Sequence, residues 1–450
     1  MTDDLPRSNQ PLRPEEPAND ATAASDLTPA AQRESSQART RALLLRWPML
    51  TAAATLAVAL VAGGTFAVLQ IGAVRQLLPW HTGSQNHARA TISVAAPSPA
   101  AAAPSLPPGC PDTAALVHSL STRDKLAQLL MVGVTDADDA RRVIAEQHVG
   151  GIFIGSYTNL SMLTDGSLTA IGASAEPLGL AVSVDEEGGR VQRLRSIMKP
   201  APSARVLAQT DTPDEVYQLA LARGRQMRGF GITIDFAPVV DITDAPDDTV
   251  IGDRSFGDIP AEVTRFAGAY AKGLRDAGVL PVLKHFPGHG RASGDSHQNG
   301  VTTPPFSALK DLDLVPYQTL VTQTPVGVMI GHMRVPGLTE TDQASLSPEV
   351  VALLRNGTGY GGPPFDGPIF TDDLSTMKAI TDQYMVSDAV LKALQAGEDV
   401  ALWMSTTQVP AVLNKLEQAV AAQELSITSI EASAQRMAKA KAAFNSHCGG

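Results

Sequence analysis

Eight short apolar runs, separated by longer stretches of helical periodicity, limit the folds open to this chain more than any other feature. They are LLMVGV (129–134), GIFIGS (151–156), LGLAVSVD (178–185), ITIDFAPVVD (232–241), VLPVLKHF (279–286), VGVMIGH (326–332), GPIFTDD (367–373) and DVALWM (399–404). An apolar run without strict alternation suits a strand covered on both faces, as in a parallel sheet. Parallel strands need crossovers, and AEVTRFAGAYAKGLRDAG and SDAVLKALQAGE read as the amphipathic helices that supply them. Eight strands alternating with helices over about 340 residues predict an α/β fold, a TIM-type (β/α)8 barrel with enlarged loops. A doubly wound open sheet is the structural alternative.

Barrels of this kind place their chemistry at the C-terminal ends of the strands. Those ends carry Asp185, Asp241, Lys284, His285, His332, Asp372 and Asp373. Several charges directly following apolar runs are hard to explain as a solvated surface. The densest cluster is KHFPGHGRASGDSH, from Lys284 to His297, which holds three of the chain's nine histidines. Its glycines permit a tight loop whose backbone can approach a ligand. Asp295 stands two residues before His297, near enough to bond one ring nitrogen and leave the other for proton transfer. A metal site built from His285, His289, His297 and Asp295 is the competing reading. The cation of Lys284 argues against it and suits hydroxyl or carboxylate recognition. Two further stretches look chemical: VDEEGGRVQRL (184–194), with Arg190 and Arg193, and IGDRSFG (251–257), with Arg254.

The region before the barrel follows other rules. Residues 1–45 lack an apolar period and read as a disordered cytoplasmic tail. Residues 46–75 contain WPMLTAAATLAVALVAGGTFAVLQIGAV, an uncharged run longer than the ~20 residues that cross a bilayer. Arg33, Arg39, Arg41 and Arg46 precede it, against Arg75 and Arg89 beyond. The positive-inside bias therefore predicts a single-pass transmembrane signal-anchor in the cell membrane, with the catalytic domain extracytoplasmic. A cleaved signal peptide is the rival reading, and a buried core helix the bland one. Residues 76–110, rich in Ala, Pro and Ser, form a semi-extended linker, and the barrel domain runs over 111–450. Cys110 and Cys448, near the two ends of that domain, are expected to pair outside the cytoplasm. A net charge of −11 argues against a nucleic-acid partner, and two cysteines exclude a disulfide-dense or cysteine-rich zinc scaffold.

Together VDEEGGRVQR, FAPVVD, GDRSFG, KHFPGHG followed by DSH, and FTDDLSTMKAI resemble the bacterial β-N-acetylhexosaminidases of glycoside hydrolase family 3, over residues 115–440. The resemblance implies a TIM-like barrel that releases terminal N-acetylglucosamine by a retaining double displacement, commonly from peptidoglycan fragments. It implies Asp372 as nucleophile, with Asp373 as fallback, His297 as acid/base and Asp295 as its orienting partner. Asp185, Arg193, Arg254, Lys284 and His285 match sugar-binding positions. Glu186 departs from the pattern, standing where Gln or His is expected, so the charge beside Asp185 is expected to differ. No metal or organic cofactor is implied, and a monomer is expected. Because an imidazole acid/base repels an anionic nucleophile less than a carboxylate would, phosphorolysis is an alternative to hydrolysis. A catalytically inactive glycan-binding module and a metal-dependent hydrolase are the readings from other classes.

Overall fold

The computed structural model describes residues 112–175 and 178–443. The anchor and linker segments and both cysteines lie outside them. Among the described residues there are ten strands: β1 Leu130–Val134, β2 Gly151–Ile154, β3 Ala181–Val184, β4 Glu186–Gly188, β5 Val191–Gln192, β6 Ile234–Asp235, β7 Leu280–Phe286, β8 Gly327–Ile330, β9 Ile369–Asp373 and β10 Val400–Trp403. Eight of them close into a parallel barrel in chain order, β1-β2-β3-β6-β7-β8-β9-β10, and β1 pairs with both β2 and β10. Closure rules out the open doubly wound sheet. Each of the eight apolar runs supplies one strand. The run ITIDFAPVVD forms a regular ladder only at Ile234 and Asp235; Phe236 still donates to the Val184 carbonyl and Ala237 accepts from Val282, and after Pro238, which has no N–H, Val239 bridges Lys284.

The two faces of each strand bury two different cores. The outer core lies between strands and helices and includes Val132, Ile152, Val184, Val328 and Trp403. The inner core fills the barrel with Met131, Phe153, Ala181, Phe236, Val282, Met329, Phe370 and Leu402. Phe236 contacts both Phe153 and Phe370, at ring-centroid distances of 6.0 and 5.5 Å, making a dry aromatic layer across the barrel. The last helix, Ile427–Ala443, contributes Met437 and Ala440 to this inner core. It also meets the start of the domain, where Lys125 Nζ lies 2.7 Å from Glu431 Oε1. Among the described residues, no helix is long and apolar enough to cross a membrane.

The helices end where their sequences say they should. Pro213–Gly229 begins with a capping box, Thr212 and Glu215 satisfying each other's backbone N–H, and with Pro213 in the first turn. Val386–Ala396 stops at Gly397, whose φ of 102° is open to glycine at little steric cost. The hairpin β4–β5, inserted directly after β3, was not legible as strands; it turns through Gly188 and Gly189, both at positive φ.

Candidate active site

Side-chain alternation carries the inner face of each strand up to the polar end of the barrel. Leu280 and Val282 point inward, so Lys284 does too; Ala181 and Ser183 are followed by Asp185; Phe370 is followed by Asp372. These three side chains, with Arg193, Arg254, His285, Asp295 and His297, line one cavity of about 380 Å³ at the C-terminal end of the barrel. All eight site residues expected from the sequence therefore converge. The same alternation parts the two adjacent acids. Asp372 lines the cavity, whereas Asp373 accepts from the backbone and hydroxyl of Ser375 and of Thr376, stabilising the turn after β9.

Burial opposes ionisation of Asp372, but His332, His285 and His297 around it and the Asp373 N–H bring its carboxyl down to about 2. It is therefore a carboxylate at neutral pH, ready to act as an anion. Asp373 moves the other way, raised by burial. His332 is fully buried, with Nδ1 2.6 Å from Ser345 Oγ and Nε2 2.8 Å from the Asp373 carbonyl oxygen, which ties down the end of β9.

The floor of the cavity is a chain of alternating charges. Lys284 Nζ lies 2.7 Å from Asp185 Oδ1 and 2.6 Å from Glu187 Oε1. Glu187 in turn accepts from Arg254 Nε and Nη2 at 2.8 and 2.9 Å, a two-point clamp. Arg193 approaches Asp185 at 3.7 Å. Burial by itself would raise the Glu187 carboxyl; the Arg254 and Lys284 cations overcome that and hold it well below its ordinary range. His285 takes its orientation from Asp241, with Nδ1 2.6 Å from Oδ2, and turns Nε2 toward Arg254 at 3.4 Å.

Arg190, singled out in the VDEEGGRVQRL stretch, also lines the cavity; Glu187 in the same stretch was given no place in the site, and Val191, Asp248, Thr249 and Val250 were missed. A signal existed for Glu187: it sits two residues after Asp185, on the same face. Glu186, the departure from the family pattern, faces the other way. It pairs in the interior with Arg223 and accepts from the Leu194 N–H at 2.8 Å, so its charge stays out of the cavity. The expectation that it alters the charge beside Asp185 is corrected by this orientation. Arg190 donates to the carbonyls of Asp247, Thr249, Val250 and Ile251, binding the cavity-lining loop to the hairpin.

His297 stands exposed at the rim, its Nδ1 2.8 Å from Asp295 Oδ1. With that nitrogen donating to the carboxylate, Nε2 is left as the atom that can exchange a proton. The loop's glycines fit its close contacts with protein. A Cβ on Gly290 would fall 2.2 Å from the Ile242 carbonyl oxygen, and one on Gly288, at φ 131°, 2.5 Å from Asp313 Cβ. Among the described residues no group of three or more His, Cys, Asp or Glu side chains converges as metal ligands would. The three loop histidines are turned to separate partners, His285 to Asp241, His289 to Ser296 and His297 to Asp295.

The profile of the glycosyl hydrolase family 3 N-terminal domain matches residues 121–440. The chain belongs to glycosyl hydrolase family 3. Among family 3 relatives, the Mycobacterium tuberculosis protein named beta-hexosaminidase LpqI is 60% identical over 386 residues, covering 86% of this chain and 98% of its own. A solved family 3 glycosyl hydrolase from Mycobacterium smegmatis superposes with a TM-score of 0.71 at 68% identity, covering 72% of this chain and 98% of that one. A family 3 β-N-acetylglucosaminidase from Paenibacillus sp. FPU-7 gives 0.67 at 33% identity, covering 72% and 62%.

Proposed function

We propose that this family 3 enzyme is a retaining β-N-acetylhexosaminidase that releases terminal N-acetylglucosamine from peptidoglycan-derived fragments. The observation that carries the reading is Asp372: a half-buried carboxylate, held ionised, opening into the same cavity as an imidazole that is polarised by its own carboxylate. Attack of the Asp372 carboxylate on the anomeric carbon forms a glycosyl-enzyme ester while His297 Nε2 protonates the departing oxygen. His297 then takes a proton from the water that cleaves the ester, returning both groups to their starting states. Asp295 orients the ring and stabilises its cationic form. Asp185, Lys284, Arg254 and His285 offer charge-assisted bonds to the sugar hydroxyls, stronger than neutral ones.

The aglycone reading is supported by a second cavity of about 710 Å³, which shares Arg190 and Arg193 with the first and adds Arg195. Among the described residues no acidic side chain lines it, which suits the carboxylates of a peptidoglycan fragment. The apolar run at 46–75 belongs to the same reading, because its arginine asymmetry would hold the barrel outside the cytoplasm beside such substrates.

The test uses the full chain with a panel of chromogenic β-glycosides and a fluorinated N-acetylglucosaminyl donor whose glycosyl-enzyme turns over slowly. N-acetylglucosaminides should be cleaved with retention, and mass spectrometry should find the label on Asp372. A product of inverted configuration, or label on Asp373, would reject the mechanism as written.

A further inference from the structure

The residue between Asp295 and His297 has no place in the chemistry above, yet it is the most buried of the three. Ser296 is 1% exposed, while its two neighbours face the cavity. Its Oγ lies 3.1 Å from His289 Nε2, and its carbonyl oxygen accepts from the Ala379 N–H at 3.1 Å. His289 is itself buried, and its backbone N–H donates at 2.7 Å to Asp241 Oδ1, on the carboxylate that also orients His285. Ala379 lies in the segment that follows β9, the strand bearing Asp372, and the neighbouring Lys378 N–H reaches the His297 carbonyl at 3.5 Å. The Ser296 hydroxyl thus closes the rim loop onto His289 at its base, which Asp241 holds beside His285, and its carbonyl ties the loop to the segment that follows the nucleophile's strand.

We propose that Ser296 is the positioning residue of the acid/base loop, a latch that sets the placement of His297 relative to Asp372 through its bond to His289. The proposal rests on His297 being the acid/base. Burial, reinforced by the nearby His285, lowers His289 to about 4, so its ring is neutral over the working range and the hydroxyl bond needs no charge. Without the Ser296 hydroxyl, the loop keeps its backbone bonds to 378–379 but loses its hold on the base of the site. His297 would then spend much of its time out of reach of the departing oxygen. A misplacement of about 1 Å can cost roughly 10²-fold in rate.

The experiment compares Ser296→Ala, Ser296→Thr and His289→Leu in the full chain, using N-acetylglucosaminides with good and poor leaving groups and His297→Ala as the benchmark. Ser296→Ala and His289→Leu should lower kcat on the poor leaving group about 10–100-fold and leave KM within about twofold, since the sugar contacts are untouched. The activated aryl glycoside, which departs without protonation, should lose far less. Ser296→Thr, which keeps the hydroxyl, should restore most of the loss. On the His297→Ala background, Ser296→Ala should cost nothing further on the poor leaving group, because the residue it positions is gone. Equal loss on every leaving group, or full loss persisting without His297, would overturn the latch. If His297→Ala itself proves indifferent to the leaving group, the acid/base reading falls and the latch with it.

Discussion

Glu187→Gln removes one negative charge from the centre of the cavity floor while nearly preserving the side chain's shape. In the wild type that carboxylate meets Arg254 through two bonds of 2.8 and 2.9 Å and Lys284 through one of 2.6 Å. At an effective dielectric constant of about 20, each charge pair at this range is worth about 6 kcal/mol of gross attraction. Desolvation of the buried ions offsets most of that, and removing one partner of a buried pair typically costs about 3–5 kcal/mol net. An amide fares worse than this arithmetic implies, because its NH₂ group would face a cation on one side or the other. At about 2 °C per kcal/mol for a large domain, the Tm should fall by about 6–10 °C. Arg254 and Lys284 would also lose the anchor that aims them at substrate, so kcat/KM should fall about 10–100-fold, the worth of one charge-assisted hydrogen bond. Calorimetry and steady-state kinetics on the same preparation read both numbers. The pH dependence gives an independent check on sign. The folded-state carboxyl of Glu187 is held low, so its contribution is fully present above the unfolded value of about 4.3 and is lost progressively as pH falls from there through the depressed folded-state value. The gap in Tm between wild type and Glu187→Gln should thus be widest near neutrality, begin to narrow only below about pH 4, and keep narrowing as the pH falls further toward the depressed folded-state value. A Tm within 2 °C of wild type together with kcat/KM within about threefold would refute the view that Glu187 holds the cluster, since neither the net cost of a broken buried pair nor the lost bond would be visible.

Glu186→Gln should destabilise the barrel by about 3 kcal/mol through loss of the buried Arg223 pair, yet leave KM for the sugar within about twofold; a large KM change with an unaltered Tm would put its charge back in the cavity. Asp373→Ala should lower the Tm by releasing the Ser375–Thr376 turn and still accept the glycosyl label on Asp372, as peptide mass mapping would show; loss of all label with an unchanged Tm would contradict the division of roles. Thiol titration of the denatured, unreduced full chain should find no free thiol if Cys110 and Cys448 pair, and two titratable thiols would refute the pairing. A reporter fused after residue 105 should be active only outside the cytoplasm, and protease added to spheroplasts should digest the barrel; a spared barrel would reverse the proposed topology.

The sequence alone determined the architecture, because a parallel strand buried on both faces leaves a continuous apolar run whose polar end is read directly. Each of the eight runs became a barrel strand; the polar ends of three of them line the cavity, and Asp241 and His332 at two more hold His285 and the end of β9. Period-2 alternation from Phe370 to Asp372 and from Asp185 to Glu187 was also present in the letters, although the second step went unread. Only the tertiary structure decided what each buried charge faces. Glu186 and Glu187 are chemically equivalent neighbours, yet one meets Arg223 from a helix on the outside of the barrel and the other meets Arg254 and Lys284 within it. Ser296 likewise looks like a spacer between two reactive side chains, until folding brings His289 and Ala379 against it from seven and eighty-three residues away. Ala379, Arg223 and Arg254 come from other elements of the barrel, and His289 from the far side of the same loop. Local pattern can say that a side chain turns inward, but the distance and charge of what it meets there exist only once the barrel has closed.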